Sequence, residues 1–352
     1  MKIGIITFFT NNYGALLQCF ALQYTLHNLG HDTAVINRNW GDFQPKSSFF
    51  SQFKNWVFYN PFNEFRNKHI KFTKQICNKN DLHHVTKEFD MIIVGSDQVW
   101  NADCISTMGL YYYLDWCPDK IKKVSYAVSF GKDSFNTSAS NIKTISTILQ
   151  KYEKISVREL SGINICKTLF NINAKQTLDP TLLLTSSEYD KMIGLYNKRK
   201  NFICQYFLDS SKEKELLAIN IANIFKIPIY NNYPNHIKKY KRIIFMTNRY
   251  LSVKEWLSNI KNASYIITDS FHGVVFSIIF HKQFVCINNK KRGATRFKSL
   301  LSILKLEDRL VDEEFASIEL VKKILKNPID YTKIENILTI ERHNSFNYLT
   351  NL

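Results

Sequence analysis

Short apolar, β-branched runs alternate along this chain with longer stretches in which apolar residues recur every third or fourth position, the pattern of strands alternating with helices. Ile3 to Phe8 reads as a first strand, Thr10-Asn11-Asn12-Tyr13-Gly14 as a loop, and Ala15 to Leu29 as a helix that Gly30 stops. Thr33 to Asn37 follows as the second strand. Met91 to Val94, Lys123 to Val128, Ile155 to Val157 and a short strand leading to Leu178-Asp179-Pro180 continue the series, apolar enough to be parallel strands buried on both faces. From Ser186 to Lys200 the chain turns polar and basic, and the domain boundary is expected between 185 and 200. The alternation then resumes with strand 202–207, helix 211–225, strands 227–230 and 243–246, helix 252–260, strand 264–268, helix 272–280 and strand 284–287. A chain of 352 residues exceeds what one core usually serves. The pattern therefore predicts an α/β protein of two Rossmann-like domains facing a cleft, 1–190 and 191–333, with 334–352 as a C-terminal helix returning to the first domain.

Composition narrows the class. The start Met1-Lys2-Ile3-Gly4-Ile5-Ile6 has no long apolar leader and no stretch reaches the length of a spanning helix, so a cytoplasmic location is expected. Seven cysteines, scattered and without a Cys-x-x-Cys pair, suit reduced buried thiols, and no metal is expected. Against 47 Lys and Arg stand 30 Asp and Glu, a formal charge of +17 that draws in anions. No helix-turn-helix, RNP or zinc-finger pattern accompanies that charge, which leaves phosphorylated substrates and anionic membrane as partners ahead of nucleic acid. Phe43 to Lys74 and His236 to Arg242 mix aromatic and basic residues; they suit an anionic membrane surface, or core packing with a solvated face.

Chemistry gathers where strands end. Ser264 to Thr268 runs through Asp269 into Ser270-Phe271-His272-Gly273 and an apolar helix, which puts residues 270–273 at a helix N-terminus, where free N–H groups and the dipole hold phosphate. Gly273 would let that backbone come close to the ligand, and His272 beside a phosphate is a candidate general acid; a helix cap or a core hydrogen bond is the plain alternative. The loop of Asn11 and Tyr13 is a second such junction, a substrate contact or an ordinary cap, and it lacks the glycine spacing of a dinucleotide site. At a third, Gly95-Ser96-Asp97-Gln98-Val99-Trp100-Asn101, the residues Gln98, Trp100 and Asn101 offer amides and an aromatic face for a sugar, and Asp97 is a candidate base or a helix cap. Arg158 and Arg296 are candidate anion clamps through paired guanidinium bonds, while Arg292 suits a solvated surface.

Taken in order, Asn12-Tyr13-Gly14-Ala15-Leu16-Leu17-Gln18, Gly95 to Asn101, Ser125-Tyr126-Ala127-Val128-Ser129-Phe130-Gly131, Ser156-Val157-Arg158-Glu159, Leu178-Asp179-Pro180-Thr181, Thr268 to Gly273 and Leu306-Glu307-Asp308-Arg309 resemble the polysaccharide pyruvyl transferase family. The resemblance implies a fold similar to GT-B glycosyltransferases. It also implies transfer of pyruvate from phosphoenolpyruvate to two hydroxyls of a galactose- or glucose-type sugar in a capsule or exopolysaccharide precursor, as a cyclic ketal, with no cofactor beyond the donor. On that basis His272 is the general acid, Ser270, Phe271 and Gly273 the phosphate cradle, and Arg158 with Arg296 the anion clamp. Some members carry arginine and leucine before the histidine where this chain has Ser270 and Phe271, so Arg296 or Lys290 is expected to supply the charge. Asn11, Tyr13, Gln98, Trp100 and Asn101 remain for the acceptor, free or on a lipid diphosphate carrier at the inner face of the membrane. The same architecture also admits a glycosyltransferase using a nucleotide sugar, or a non-catalytic glycan-binding protein.

Overall fold

The computed structural model describes residues 1–38, 60–194, 199–233, 250–288 and 293–352. The expected strand at 243–246, the segment His236 to Arg242, Phe43 to Tyr59 of the first aromatic-basic segment, and Lys290 lie outside the described residues.

The chain divides into two compact units, Met1–Leu184 with Thr339–Leu352, and Thr185–Leu338. In the first unit, strands β1 (Lys2–Ile6), β2 (Asp32–Val35), β3 (Met91–Val94), β4 (Lys122–Val128), β5 (Lys154–Val157) and β6 (Lys175–Gln176) form one sheet in the order β2-β1-β3-β4-β5-β6. Every pairing in it is parallel. All four residues of β3 are buried, as the unbroken apolar run Met-Ile-Ile-Val requires of a strand covered on both faces. Each such side chain withdrawn from water contributes roughly 1.5–3 kcal/mol. The core continues through Trp100, Tyr113, Phe130, Phe135, Ile145 and Phe170.

The second unit repeats the winding. Strands β7 (Ile203–Tyr206), β8 (Ile229–Asn231), β9 (Tyr265–Thr268), β10 (Gln283–Asn288) and β11 (Leu310–Asp312) lie in the order β11-β10-β9-β7-β8, again all parallel. In each sheet the first and third strands of the unit are neighbours and the winding reverses between them. That is the switch point at whose carboxyl end open α/β sheets place ligands.

Two stretches depart from the sequence pattern. The polar stretch after Leu184 begins as a helix, Ser186–Ile193, opened by a capping box of Thr185 and Glu188 and anchored by Tyr189, whose ring meets Phe276 edge-on at 5.0 Å. The chain beyond residue 290 adds helix Thr295–Ile303, β11 and helix Ile318–Lys326 before the final helix, Tyr331–Thr350. The end of that last helix packs on the first unit: Ser345 Oγ accepts from Leu178 N at 3.0 Å, Tyr348 Oη donates to the Ser125 carbonyl at 2.8 Å, and Leu349 is fully buried. Among the described residues no helix is long and apolar enough to cross a membrane.

Candidate active site

In the second unit, β9 ends at Thr268 and the helix Phe271–Ile279 begins three residues later. Ser270 is its N-cap, in extended backbone, with its hydroxyl accepting from Gly273 N at 3.4 Å. Thr268 Oγ1 donates to the Tyr206 carbonyl of β7 at 2.6 Å and accepts from Ser270 N at 3.0 Å, so the turn is tied to both strands of the switch point. The helix is buried throughout and His272 is 7% exposed. The imidazole meets the Phe271 ring edge-on at 5.3 Å, and the guanidinium of Arg296 lies over the same ring at 5.7 Å. Arg296 comes from the first turn of helix Thr295–Ile303 and is 6% exposed. The structure thus brings the imidazole of His272 and the guanidinium of Arg296 each against the ring of Phe271 at one helix start.

Gly273 has a packing reason beside the one its motif suggests. A Cβ there would press on Thr268, 3.0 Å from its Cβ and 3.1 Å from its Cγ2, with Oγ1 closer still. The residue is glycine because the first turn of the helix packs directly on the end of β9. Asp269 is buried as well: its Oδ1 accepts from Leu208 N at 2.6 Å and its Oδ2 from Asp209 N at 3.2 Å and Lys214 Nζ at 3.0 Å.

In the first unit a buried polar network laces the strand ends. Asp179 Oδ2 accepts from Arg158 Nη1 at 2.5 Å and Ser96 Oγ at 3.0 Å, while its Oδ1 accepts from Thr181 N at 3.0 Å and Thr181 Oγ1 at 2.6 Å. Glu159 Oε1 accepts from Ser129 Oγ and Phe130 N, each at 2.8 Å. Thr7 Oγ1 donates to the Ser96 carbonyl at 2.6 Å, and Gln18 Nε2 donates to Phe8 O and Ala15 O, closing the β1 side. Ser156 Oγ accepts from Ala127 N at 2.9 Å where β4 slips register against β5, and Ala127 there has a φ of 49°. Most of these residues belong to five of the motifs read from the sequence, and their shared task is to hold the carboxyl ends of β1, β3, β4 and β5 in place.

Burial corrects three assignments. Arg158 is 5% exposed and its guanidinium is engaged by Asp179, so it clamps a protein carboxylate rather than presenting itself to a substrate anion. Trp100 is fully buried, stacked on Tyr113 at 5.3 Å with its indole N–H donating to Tyr112 O, and offers no face to a sugar. Tyr13 is 1% exposed and packs against Phe62, with ring centroids 4.9 Å apart. Both rings are core, Tyr13 against the helix Pro61–His69 and Trp100 among Tyr113, Phe130 and Tyr152.

Other candidates stay at the surface of the same loops. Asn11 is exposed, and Arg66 Nη2 donates to its Oδ1 at 2.7 Å while Nη1 donates to Phe9 O at 2.9 Å; the Asn11 amide N–H₂ is therefore the group directed away from the arginine. Asp97 and Gln98 are half-buried. Asp97 has a φ of 82°, a conformation that a non-glycine residue adopts at a cost of about 1–3 kcal/mol, and its carboxylate steadies the turn by accepting from Gln98 N at 2.8 Å. Asn101 caps helix Ala102–Met108 through Asp103 N, so the capping role open to Asp97 belongs to Asn101. Its Nδ2 donates to Gln98 Oε1 at 3.3 Å, and Gly131, with a φ of 74°, leaves room for that amide. Lys214 and Arg66 carried no sequence signal, since a lysine or arginine in a helix reads as surface until its partners are known. Among the described residues no cluster of His, Cys, Asp and Glu has the makings of a metal site.

A family model described as polysaccharide pyruvyl transferase matches residues 12–291. No curated protein matches the sequence. Among solved structures, a UDP-GlcNAc 2-epimerase from Methanocaldococcus jannaschii is similar with a TM-score of 0.55 at 13% identity, over 94% of this chain and 93% of that one. Arabidopsis thaliana UGT89C1 complexed with UDP gives 0.55 at 10% identity, over 100% of this chain and 98% of that one. The spinosyn rhamnosyltransferase SpnG gives 0.50 at 10% identity, over 100% of both chains. At such identities the likeness is one of fold, and that fold is the GT-B-like pairing of two Rossmann-like units expected from the sequence. With the family model spanning residues 12–291, which hold most of the strand-end network of the first unit and the His272 helix start of the second, the chain belongs to the polysaccharide pyruvyl transferase family of enzymes.

Proposed function

We propose that the protein transfers pyruvate from phosphoenolpyruvate to two hydroxyls of a galactose- or glucose-type unit in a polysaccharide precursor, giving a cyclic ketal. The observation that carries the donor assignment is the meeting of His272 and Arg296 on the ring of Phe271 at a helix N-terminus. A phosphate there is favoured by the helix dipole and by a guanidinium that is always charged. The anion in turn stabilises the protonated imidazole, which is the form a general acid needs.

The chemistry follows from those groups. His272 gives its proton to carbon 3 of the enol, and carbon 2 becomes an oxocarbenium centre. One sugar hydroxyl attacks carbon 2 and loses its proton to a base, for which Asp97 is the assigned carboxylate. The bond from carbon 2 to the phosphate oxygen then breaks, phosphate leaves carrying the proton that Asp97 took up, and the second hydroxyl closes the ring on the same carbon, its proton passing to His272. Protons and electrons balance without a further cofactor. Asn11, Gln98 and Asn101 are assigned to the acceptor, with Arg296 alone in the clamp role.

The test is a coupled assay of phosphoenolpyruvate consumption and phosphate release with and without oligosaccharide acceptors. Wild type should release phosphate only with an acceptor, and His272→Ala should lower the rate by about 10²–10⁴-fold, the usual worth of a general acid, while keeping its thermal transition. A folded variant of near-normal rate would remove His272 from the mechanism. Product mass separates a pyruvyl ketal from the larger increment of a hexose. Salt-sensitive flotation with anionic vesicles would support a lipid diphosphate carrier at the inner face of the membrane, and its absence would count against one.

A further inference from the structure

Lys214 stands in the first turn of helix Lys212–Phe225, a position where lysine ordinarily reaches solvent, yet it is 3% exposed. Its ammonium donates to Asp269 Oδ2 at 3.0 Å and to the Asp209 carbonyl at 3.1 Å, and lies 3.4 Å from Glu313 Oε2. Asp269, in turn, immediately precedes the N-cap of the helix that carries His272, and its carboxylate is 0% exposed. The charges of this pair reach other buried groups: the thiol of Cys286 on β10 is raised well above its ordinary range by burial first and by Asp269 next, with Lys214 opposing.

A buried carboxylate one residue from an anion site is a liability, because like charges in a poorly solvated setting repel far more strongly than in water. A cation held against that carboxylate removes the liability. It also ties the loop after β7 to the end of β9, since the Leu208 and Asp209 amides grip the same carboxylate.

We propose that Lys214 is a positioning residue of the donor site, cancelling the charge of Asp269 so that the helix start bearing His272 accepts the anionic donor. The inference rests on the assignment of phosphoenolpyruvate to that helix start.

Charge cancellation and simple scaffolding make different forecasts for binding of phosphoenolpyruvate alone, measured by titration calorimetry on the full chain. Lys214→Met should weaken binding by about ten- to a hundredfold, because it leaves an uncompensated carboxylate. Asp269→Asn should bind as tightly as wild type or about threefold tighter, because it leaves a spare cation. Lys214→Met combined with Asp269→Asn should return to within about threefold of wild type, because the pair is then neutral on both sides. Raising ionic strength should shrink the defect of the single lysine variant. Weaker binding in folded Asp269→Asn, or no recovery in the double variant, would overturn the charge role. Should Lys214→Met fail to fold, the Asp269→Asn and double variants still decide between the two. Failure of wild type to bind phosphoenolpyruvate at all would instead bring down the donor assignment, and this inference with it.

Discussion

A methyl group on Gly273 has nowhere to go. Thr268 is held on one side by its bond to the Tyr206 carbonyl and on the other by Ser270 N, so it cannot yield to the incoming carbon. Gly273→Ala should therefore cost about 1–3 kcal/mol through overpacking, against the roughly 1 kcal/mol that alanine normally gains over glycine within a helix. A lowered urea midpoint with unchanged slope would show the loss, and an equal or raised midpoint would mean that the helix start has room to shift. The motif around His272 points to a ligand-facing glycine, and the packing on Thr268 is a second reason that no local pattern conveys. At this scale sequence identifies which residues matter better than why. Trp100 and Tyr13 make the same point, since an aromatic beside polar loop residues reads alike whether its ring turns outward or, as here, inward.

Elements were more legible than side chains because their signal is summed over several residues. The limits of strand β3, Met91–Val94, are legible because an unbroken apolar run this short has few other ways to be buried. Helix Ser186–Ile193 was missed although Thr185 and Glu188 stand at capping-box spacing, because its polar composition outweighed the cap. What no local pattern could convey is the joining of strand ends by residues far apart in sequence, such as Asp179 with Arg158 and Ser96. That joining carries its own prediction. Arg158→Met leaves Asp179 buried with its ion-pair partner gone, which typically costs about 3–5 kcal/mol, whereas a double change to apolar residues of similar volume, Arg158→Met with Asp179→Leu, should recover part of it. Denaturant unfolding of the two variants checks this. If Arg158→Met kept full stability and lost only turnover, the arginine would regain the substrate role that its burial denies it.

At the scale of the whole molecule, two features act together: one strand winding used twice, and an excess of positive charge spread over both uses. The winding provides a switch point in each unit; the alternation of strands and helices implies two Rossmann-like units, and the strand order of the sheets supplies the switch point. The charge provides the field in which substrates arrive. A net charge of +17 speeds encounter with anions over distances that salt controls, since the screening length falls from about 30 Å at 0.01 M to about 8 Å at 0.15 M. For an anionic donor, kcat/KM should accordingly fall several-fold across that range of salt, while kcat, set after binding, moves little. The acceptor acts as an internal control. A neutral oligosaccharide feels no net attraction, so its kcat/KM should stay flat, whereas an acceptor on a diphosphate carrier should show the donor's salt dependence. Steady-state kinetics with both acceptors over one salt series would therefore test the field and the chemistry of the acceptor together. A donor kcat/KM indifferent to salt would mean that the excess charge serves something other than substrate capture.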